Sequence, residues 1–481
     1  MGYRLRLGTQ LETVSFRGLT PDSVSVADTL TAPGGGPVTA DGYAVLCVPG
    51  EAFCHFYRSG PALHGAPIVS SMDLSAWGFG IPGLSARVSA RAEGDLSDAR
   101  LWPGTTPRFQ LLEGYVEYAR SWLTTRLGRQ LISSRLGYEG FDGGRVLVRE
   151  ARLGLEADGY VGWGLTNGVA LPVTSPAVNP LGDFQPAERQ IVAGVGLGWS
   201  SHWADLRADY LREVDRSVDY FVSERVGVQA VVRPPLDGVS LQAGSDWDLA
   251  AGLWGSAEAS VVYARARVSA GVGVRRYRPF FPLWTIWGAF SPVPYHATNG
   301  QVGFHATDWL DVRASGERFG YDPADISTGL VDVVSKGWRW ELGGTARMTH
   351  GVTVDAGYEA EFGPGASAAG WNGSVTYAPP AASRLLISVE AATLQRPLEF
   401  RFDESRLKSV GVSLQGDVTS SLRVALGGIY YTEERRRPDA QAVDWSQFRL
   451  TASVILVLGS GADFQALPPA VRRMPSGNGS P

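Results

Sequence analysis

Apolar and polar residues alternate almost one for one along this chain, and the pattern returns from end to end. In Trp338-Arg339-Trp340-Glu341-Leu342-Gly343-Gly344-Thr345-Ala346-Arg347-Met348, Trp338, Trp340, Leu342, Ala346 and Met348 share one parity, while Arg339, Glu341, Thr345 and Arg347 share the other. The same rhythm runs through residues 84–93, 204–211, 239–249, 310–317, 352–362 and 448–456. Successive side chains on a strand point to opposite faces, so each segment has one greasy face and one charged face. Two geometries accept such strands. A soluble sandwich buries the greasy face. A membrane barrel turns that face toward lipid and the charged one toward a wet lumen.

Composition narrows the choice. The chain has 481 residues, 60 of them Gly and 15 Trp, and a formal charge of -5. That balance gives no signal for nucleic acid. No run of about 18 apolar residues exists to make a membrane helix, but a barrel strand needs none, since half of it faces water. The apolar parity holds Leu84, Ala86, Val88, Leu206, Leu241, Val312, Val354, Val389, Val412 and Val454, and charge is nearly absent from it at strand centres. One soluble core of this size is also disfavoured, because single cores stop growing near ~300 residues. Strand pattern begins almost at Tyr3, so the sequence reads as a mature chain carrying an added Met1.

The walk along the chain predicts an all-β fold: a single large antiparallel transmembrane β-barrel of about 22 strands (range about 18–24). The barrel is expected over residues 1–458, with 17–67 as a long first loop and 459–481 as a flexible C-terminal tail rich in Pro, Ser and Gly. Tight links such as Ser201-His202, Asp308-Trp309, His350-Gly351 and Ser420-Ser421 alternate with long ones at 17–67, 134–144, 169–187, 279–296, 321–336 and 434–444. Short periplasmic turns and long extracellular loops give this asymmetry. Tyr115, Tyr118, Trp122, Trp163, Trp199, Trp203, Trp309, Trp338, Tyr377, Tyr430 and Trp445 stand near segment ends, as aromatic girdles would.

Gly128-Arg129-Gln130, followed by Phe141-Asp142-Gly143-Gly144-Arg145-Val146, is similar to a strand-loop-strand phrase of porin-like families. With the alternation, it makes the chain resemble Gram-negative outer-membrane porin-like β-barrels. The resemblance implies a bacterial outer-membrane location and a transport function.

On the charged parity the expected pore lining is Arg87, Arg91, Glu93, Glu113, Glu117, Arg126, Glu150, Arg152, Asp205, Arg207, Asp209, Asp246, Asp248, Asp311, Arg313, Glu317, Arg339, Glu341, Arg347, Asp355, Glu359 and Glu361. Opposite signs there can pair across strands and leave the wall hydrated. Cys47 and Cys54 flank a Pro-Gly turn and suit a disulfide in an oxidising envelope. A metal site using His55 and His64 fits no zinc spacing, and Cys54-His55 lacks the second Cys of a haem-attachment motif. The aromatic and Pro-rich stretch 275–292 is either a packed loop at the barrel mouth or a constriction or docking loop.

No Walker A, Gly-x-Ser-x-Gly or His-Glu-x-x-His motif occurs, so the chain reads as a non-enzyme with no cofactor and no metal. The expected function is an outer-membrane channel passing hydrophilic solutes, with outer-membrane lipid as its partner and no nucleic acid. The alternative is a sheath or scaffold for a periplasmic or barrel-inserted protein, such as a multihaem c-type cytochrome in transmembrane electron transfer, or a polysaccharide export barrel. The first long link could also fold inward and narrow the pore.

Overall fold

The computed structural model describes residues 1–31, 36–43, 45–97, 108–165, 190–214, 221–278, 294–322, 335–363, 366–379, 385–395, 404–437 and 440–460. Most of these lie in strands. β1 (Gly2–Ser25) opens the chain, β2 (Leu30–Thr31) and β3 (Pro37–Val38) form a small separate pair, and β4 (Phe53–Gly65) and β5 (Pro67–Trp77) return alongside β1. Then come β6 (Leu84–Asp95), β7 (Phe109–Ala119), β8 (Leu123–Ser134), β9 (Gly137–Glu150), β10 (Leu155–Gly164), β11 (Ile191–Ser200) and β12 (Ala204–Val214). The middle of the chain forms β13 (Phe221–Val232), β14 (Val239–Asp248), β15 (Leu253–Arg265), β16 (Val268–Tyr277), β17 (Tyr295–Thr307), β18 (Leu310–Tyr321) and β19 (Lys336–Arg347). The last strands are β20 (Val352–Gly363), β21 (Ala366–Tyr377), β22 (Leu385–Gln395), β23 (Glu404–Asp417), β24 (Leu422–Arg437) and β25 (Ala440–Ser460).

Each strand from β5 to β25 pairs antiparallel with the next. β1 closes the circuit, taking β25 on one side (Leu7↔Leu456) and β5 on the other (Leu7↔Met72). The result is a closed barrel of 22 strands. Closure leaves no edge, which is what a sheet in hydrocarbon requires, since lipid offers nothing to an unpaired backbone group. No helix among the described residues is long and apolar enough to cross a membrane.

The faces are inverted relative to a soluble protein. Large apolar side chains are exposed in the middle of strands: Leu197, Val195, Val272, Leu342, Val410 and Leu426 are each more than half uncovered. Buried side chains include Gln130, Glu139, Asp158, Asp209, Glu213 and Arg225. Leu127 and Val148 face out with them while Glu117 and Arg126, opposed in register, face in. Ordered links at one end are short: 120–122, 201–203, 266–267, 308–309 and 418–421, beside both barrel termini at Gly2 and Ser460.

At the other end three expectations change. Residues 17–25 and 53–65 are strand rather than loop. β1 runs on beyond its pairing with β5 and pairs with β4 from Val14↔Gly65 to Ser25↔Phe53, making a ribbon that extends the β1–β5 ladder. Eleven further residue pairs at strand spacing would reach roughly 40 Å. Residues 434–444 are also largely strand, because β24 and β25 stay paired out to Arg437↔Ala440. Residues 134–144 are a tight hairpin, with β8 and β9 joined across Arg135-Leu136. The stretches 169–187 and 459–481 lie, respectively, wholly and almost wholly outside the described residues, as does most of 275–292.

Candidate functional site: a hairpin held inside the lumen

Register assigns the charged residues to one continuous inner face. Arg87 opposes Tyr115, Glu117 opposes Arg126, Arg207 opposes Gly198 and Gln229, and Glu341 opposes Ser315 and Glu359. Ion pairs join neighbours along it. Arg87 reaches Glu113 at 3.1 Å, Arg91 meets Glu93 at 2.8 Å, and Arg126 meets Glu117 at 2.5 Å. Arg207 holds Asp209 at 2.8 Å, and Arg233 holds Asp205 at 2.5 Å. Arg313 bridges Glu341 and Asp355, each at 3.3 Å, while Arg339 binds Glu317 at 2.5 Å and Arg347 pairs with Asp311. Asp246 accepts from the Ser256 hydroxyl, and Asp248 accepts from the Ala251 amide at 3.0 Å. Glu359 and Glu361 share this parity, beside Glu341 and Arg339.

Two expected lining residues lie elsewhere. Glu150 opposes Leu155 and has the parity of Val146 and Val148, both exposed on the outward face, because it is Arg149 that stands opposite inner Glu156. Arg152 belongs to the turn after β9, where its amide donates to Glu150 Oε1 at 3.1 Å. Glu150 is thus misplaced by one step of parity, and Arg152 lies past the end of the strand. Tyr115 likewise lies on the inner face, under the Arg126 guanidinium at 4.9 Å, and so takes no part in a lipid girdle.

The lumen holds something the sequence did not flag. β8 pairs with β7 only as far as Arg129↔Gly114, and β9 pairs with β10 only from Phe141↔Gly164 onward. The tip between them, about residues 130–139, therefore has no ladder to either neighbour in the wall. It bends inward and lands on strands well round the barrel. Arg225 of β13 donates to the Leu136 carbonyl at 2.7 Å and to Glu139 at 2.9 Å. Arg135 donates to Glu258 of β15 at 2.7 Å. Leu136 packs against Val192 of β11 and Leu211 of β12, with Tyr160 of β10 alongside, forming an apolar cluster inside an otherwise polar lumen.

Local sequence permits this bend. Gly128 has φ +131, and a Cβ there would stand 2.2 Å from the Gly114 carbonyl oxygen, so only glycine fits where the hairpin leaves the wall. The landing site is cleared in the same way: a Cβ on Gly244 would meet the Arg135 guanidinium at 2.2 Å. At the hairpin base Phe141 is fully buried and stacks on Tyr160 with centroids 5.3 Å apart, while Gln130 donates to the Gly143 carbonyl at 3.1 Å. A second network braces the wall behind it: Asp158 takes both Arg145 and Arg207 at 3.0 Å. Beside the tip remains a recess of about 610 Å³, lined in part by Arg135, Glu156, Arg207, Glu258, Arg275 and Asn299.

Arg135, Leu136, Glu139, Tyr160 and Arg225 were thus missed as a group. The available signal was the Gly-rich phrase around Gly128 and Phe141, which broke the alternation and read as a loop.

At the tip of the β1–β4 ribbon, Cys47 and Cys54 are disulfide-bonded, with Cα atoms 4.2 Å apart. His64 binds Ser15 and His55 pairs with Glu51, and no group of metal-ligating residues occurs among the described residues.

No protein-family model matches the chain, and no curated protein matches it in sequence. Solved structures do match in fold. The ferric enterobactin receptor PfeA of Pseudomonas aeruginosa, in complex with enterobactin, superposes with a TM-score of 0.53 at 13% identity, covering 94% of this chain and 81% of that one. The chain is a closed β-barrel of the same fold as that receptor. Weaker matches to this barrel include OccAB4 of Acinetobacter baumannii (TM-score 0.42, 8% identity, 95% and 98% covered) and OccK1 of P. aeruginosa (TM-score 0.37, 11% identity, 95% and 99% covered).

Proposed function

We propose that this barrel is a porin-like channel for hydrophilic solutes in the bacterial outer membrane, narrowed by the β8–β9 hairpin. Closing 22 strands encloses more space than side chains alone can fill. The inner face is ionised and hydrogen-bonded, which suits a water-filled path. The observation that carries the reading is the hairpin tip clasped by Arg225 and Arg135, which takes up part of the lumen and leaves a polar recess of about 610 Å³ beside it. A sheath for an inserted partner would instead leave that volume clear, so the channel reading is preferred.

The test is conductance of the purified full-length barrel in planar bilayers, with liposome swelling in sugars of rising size. Steady single-channel steps and a sharp size cutoff are expected. A silent bilayer together with no swelling for the smallest sugars would reject the channel.

A further inference from the structure

On the outward face, at the long-link end, the barrel carries a groove of about 640 Å³ across β15–β19. Its floor is cut by small side chains: Ala257, Ala259, Thr298 and Gly320. Register places all four on the lipid-facing parity, with exposed Val272 and Val302 further along the same strands. A Cβ at Gly320 would lie 3.3 Å from His296 Nε2 and 3.6 Å from Lys336 Cγ, so these residues form one continuous surface.

The rim is cationic, with Arg276, His296, Arg318 and Lys336. Lys336 is one of only two lysines in the chain. Asp322 answers two of the four, lying 3.6 Å from Arg276 and 3.4 Å from His296. Arg318 and Lys336 are exposed and make no ion pair among the described residues. Trp254 lies under Arg276 at 4.8 Å, and exposed Trp338 follows Lys336 on β19, so the rim stands level with a belt of aromatics. Trp at that level marks the membrane surface. Unpaired cations cost little there, about 0–1 kcal/mol, against about 2–4 kcal/mol at midplane. An apolar trough running down from a cationic rim matches one kind of occupant in both halves: an acyl chain below and an anionic headgroup above.

We infer that this groove binds a phosphate-bearing lipid of the leaflet on the long-link side, with Arg318 and Lys336 contacting the phosphate and the Ala257–Ala259–Thr298 floor taking an acyl chain. The inference rests on the outward orientation of the apolar face and is independent of conductance.

The full-length barrel, reconstituted in phosphatidylcholine vesicles doped with phosphatidic acid or with diacylglycerol, is extracted gently, and retained lipid is counted by native mass spectrometry. Wild type is expected to retain phosphatidic acid and not diacylglycerol. Arg318→Gln with Lys336→Gln should retain about tenfold less. Gly320→Leu, which fills the trough and keeps every charge, should lose retention to a similar degree. Heat-modifiable gel mobility shows that each variant still closes. Equal retention by the double variant, or none by wild type, overturns the site. Displacement of the lipid by millimolar inorganic phosphate would show a free-anion site and overturn the lipid assignment.

Discussion

Arg225 is nine-tenths buried at its side chain and has its partners on a hairpin far away in sequence. Replacing it with Ala removes two donors to that hairpin and leaves Glu139 buried without its cation. Losing one member of a buried pair typically costs about 3–5 kcal/mol. The expected result for Arg225→Ala is noisier, larger single-channel conductance with a lower unfolding midpoint in urea; unchanged current would mean the clasp does not set the pore. On the other face, Val195 is 52% exposed in mid-strand. Val195→Arg should destabilise the lipid-inserted barrel by about 2–4 kcal/mol. Ser413→Arg, on the inner parity opposite Gly427 and Ser388, should cost much less. Refolding titrations into phospholipid vesicles compare the two, and equal costs would contradict the assigned faces.

At the scale of elements, the β8–β9 hairpin and the β1–β4 ribbon are separable devices. Replacing residues 131–139 by Asn-Gly keeps the wall-paired parts of β8 and β9 and a turn suited to a two-residue hairpin. Such a barrel should pass larger sugars in liposome swelling; an unmoved cutoff would place the constriction elsewhere. The ribbon should respond to its cystine. A loop this short stabilises locally by about 2–3 kcal/mol in the chain-entropy account. Cys47→Ser with Cys54→Ser is therefore expected to expose the ribbon tip to protease while leaving the barrel's melting temperature unchanged. Simultaneous loss of the barrel would show that the ribbon is needed for closure. The ribbon was readable only in part: alternation ends near Phe16, yet β1 continues through Ser25 because β4 supplies a ladder for it. Strand propensity is decided by what lies alongside as much as by the residues themselves.

At the scale of the whole molecule, stability depends on closure. β25 is held by β24 on one edge and by β1 on the other, from Tyr3↔Ser460 to Thr13↔Leu450. Ending the chain at Arg449 would strip β1 of that ladder and open two edges to lipid, where unpaired backbone groups are not tolerated. The truncated chain is expected to lose heat-modifiable gel mobility and to aggregate. Retained mobility would mean that the circuit closes another way.

The two-residue period determined the strand class, the inverted faces and the 22-strand barrel, because alternation is local and each strand repeats the message. Parity also groups the charged residues from Arg87 to Glu361 on a common side of their strands, since alternation assigns a side chain its side without reference to distant residues. It misplaced Glu150, whose parity is that of Val148, and Arg152, which lies past the strand end where parity no longer applies. Tertiary structure alone decided that the phrase around Gly128 and Phe141 turns into the lumen. That choice is set by Arg225, Gly244 and Glu258, which lie about a hundred residues downstream, and no local pattern encodes a contact made across the inside of a barrel.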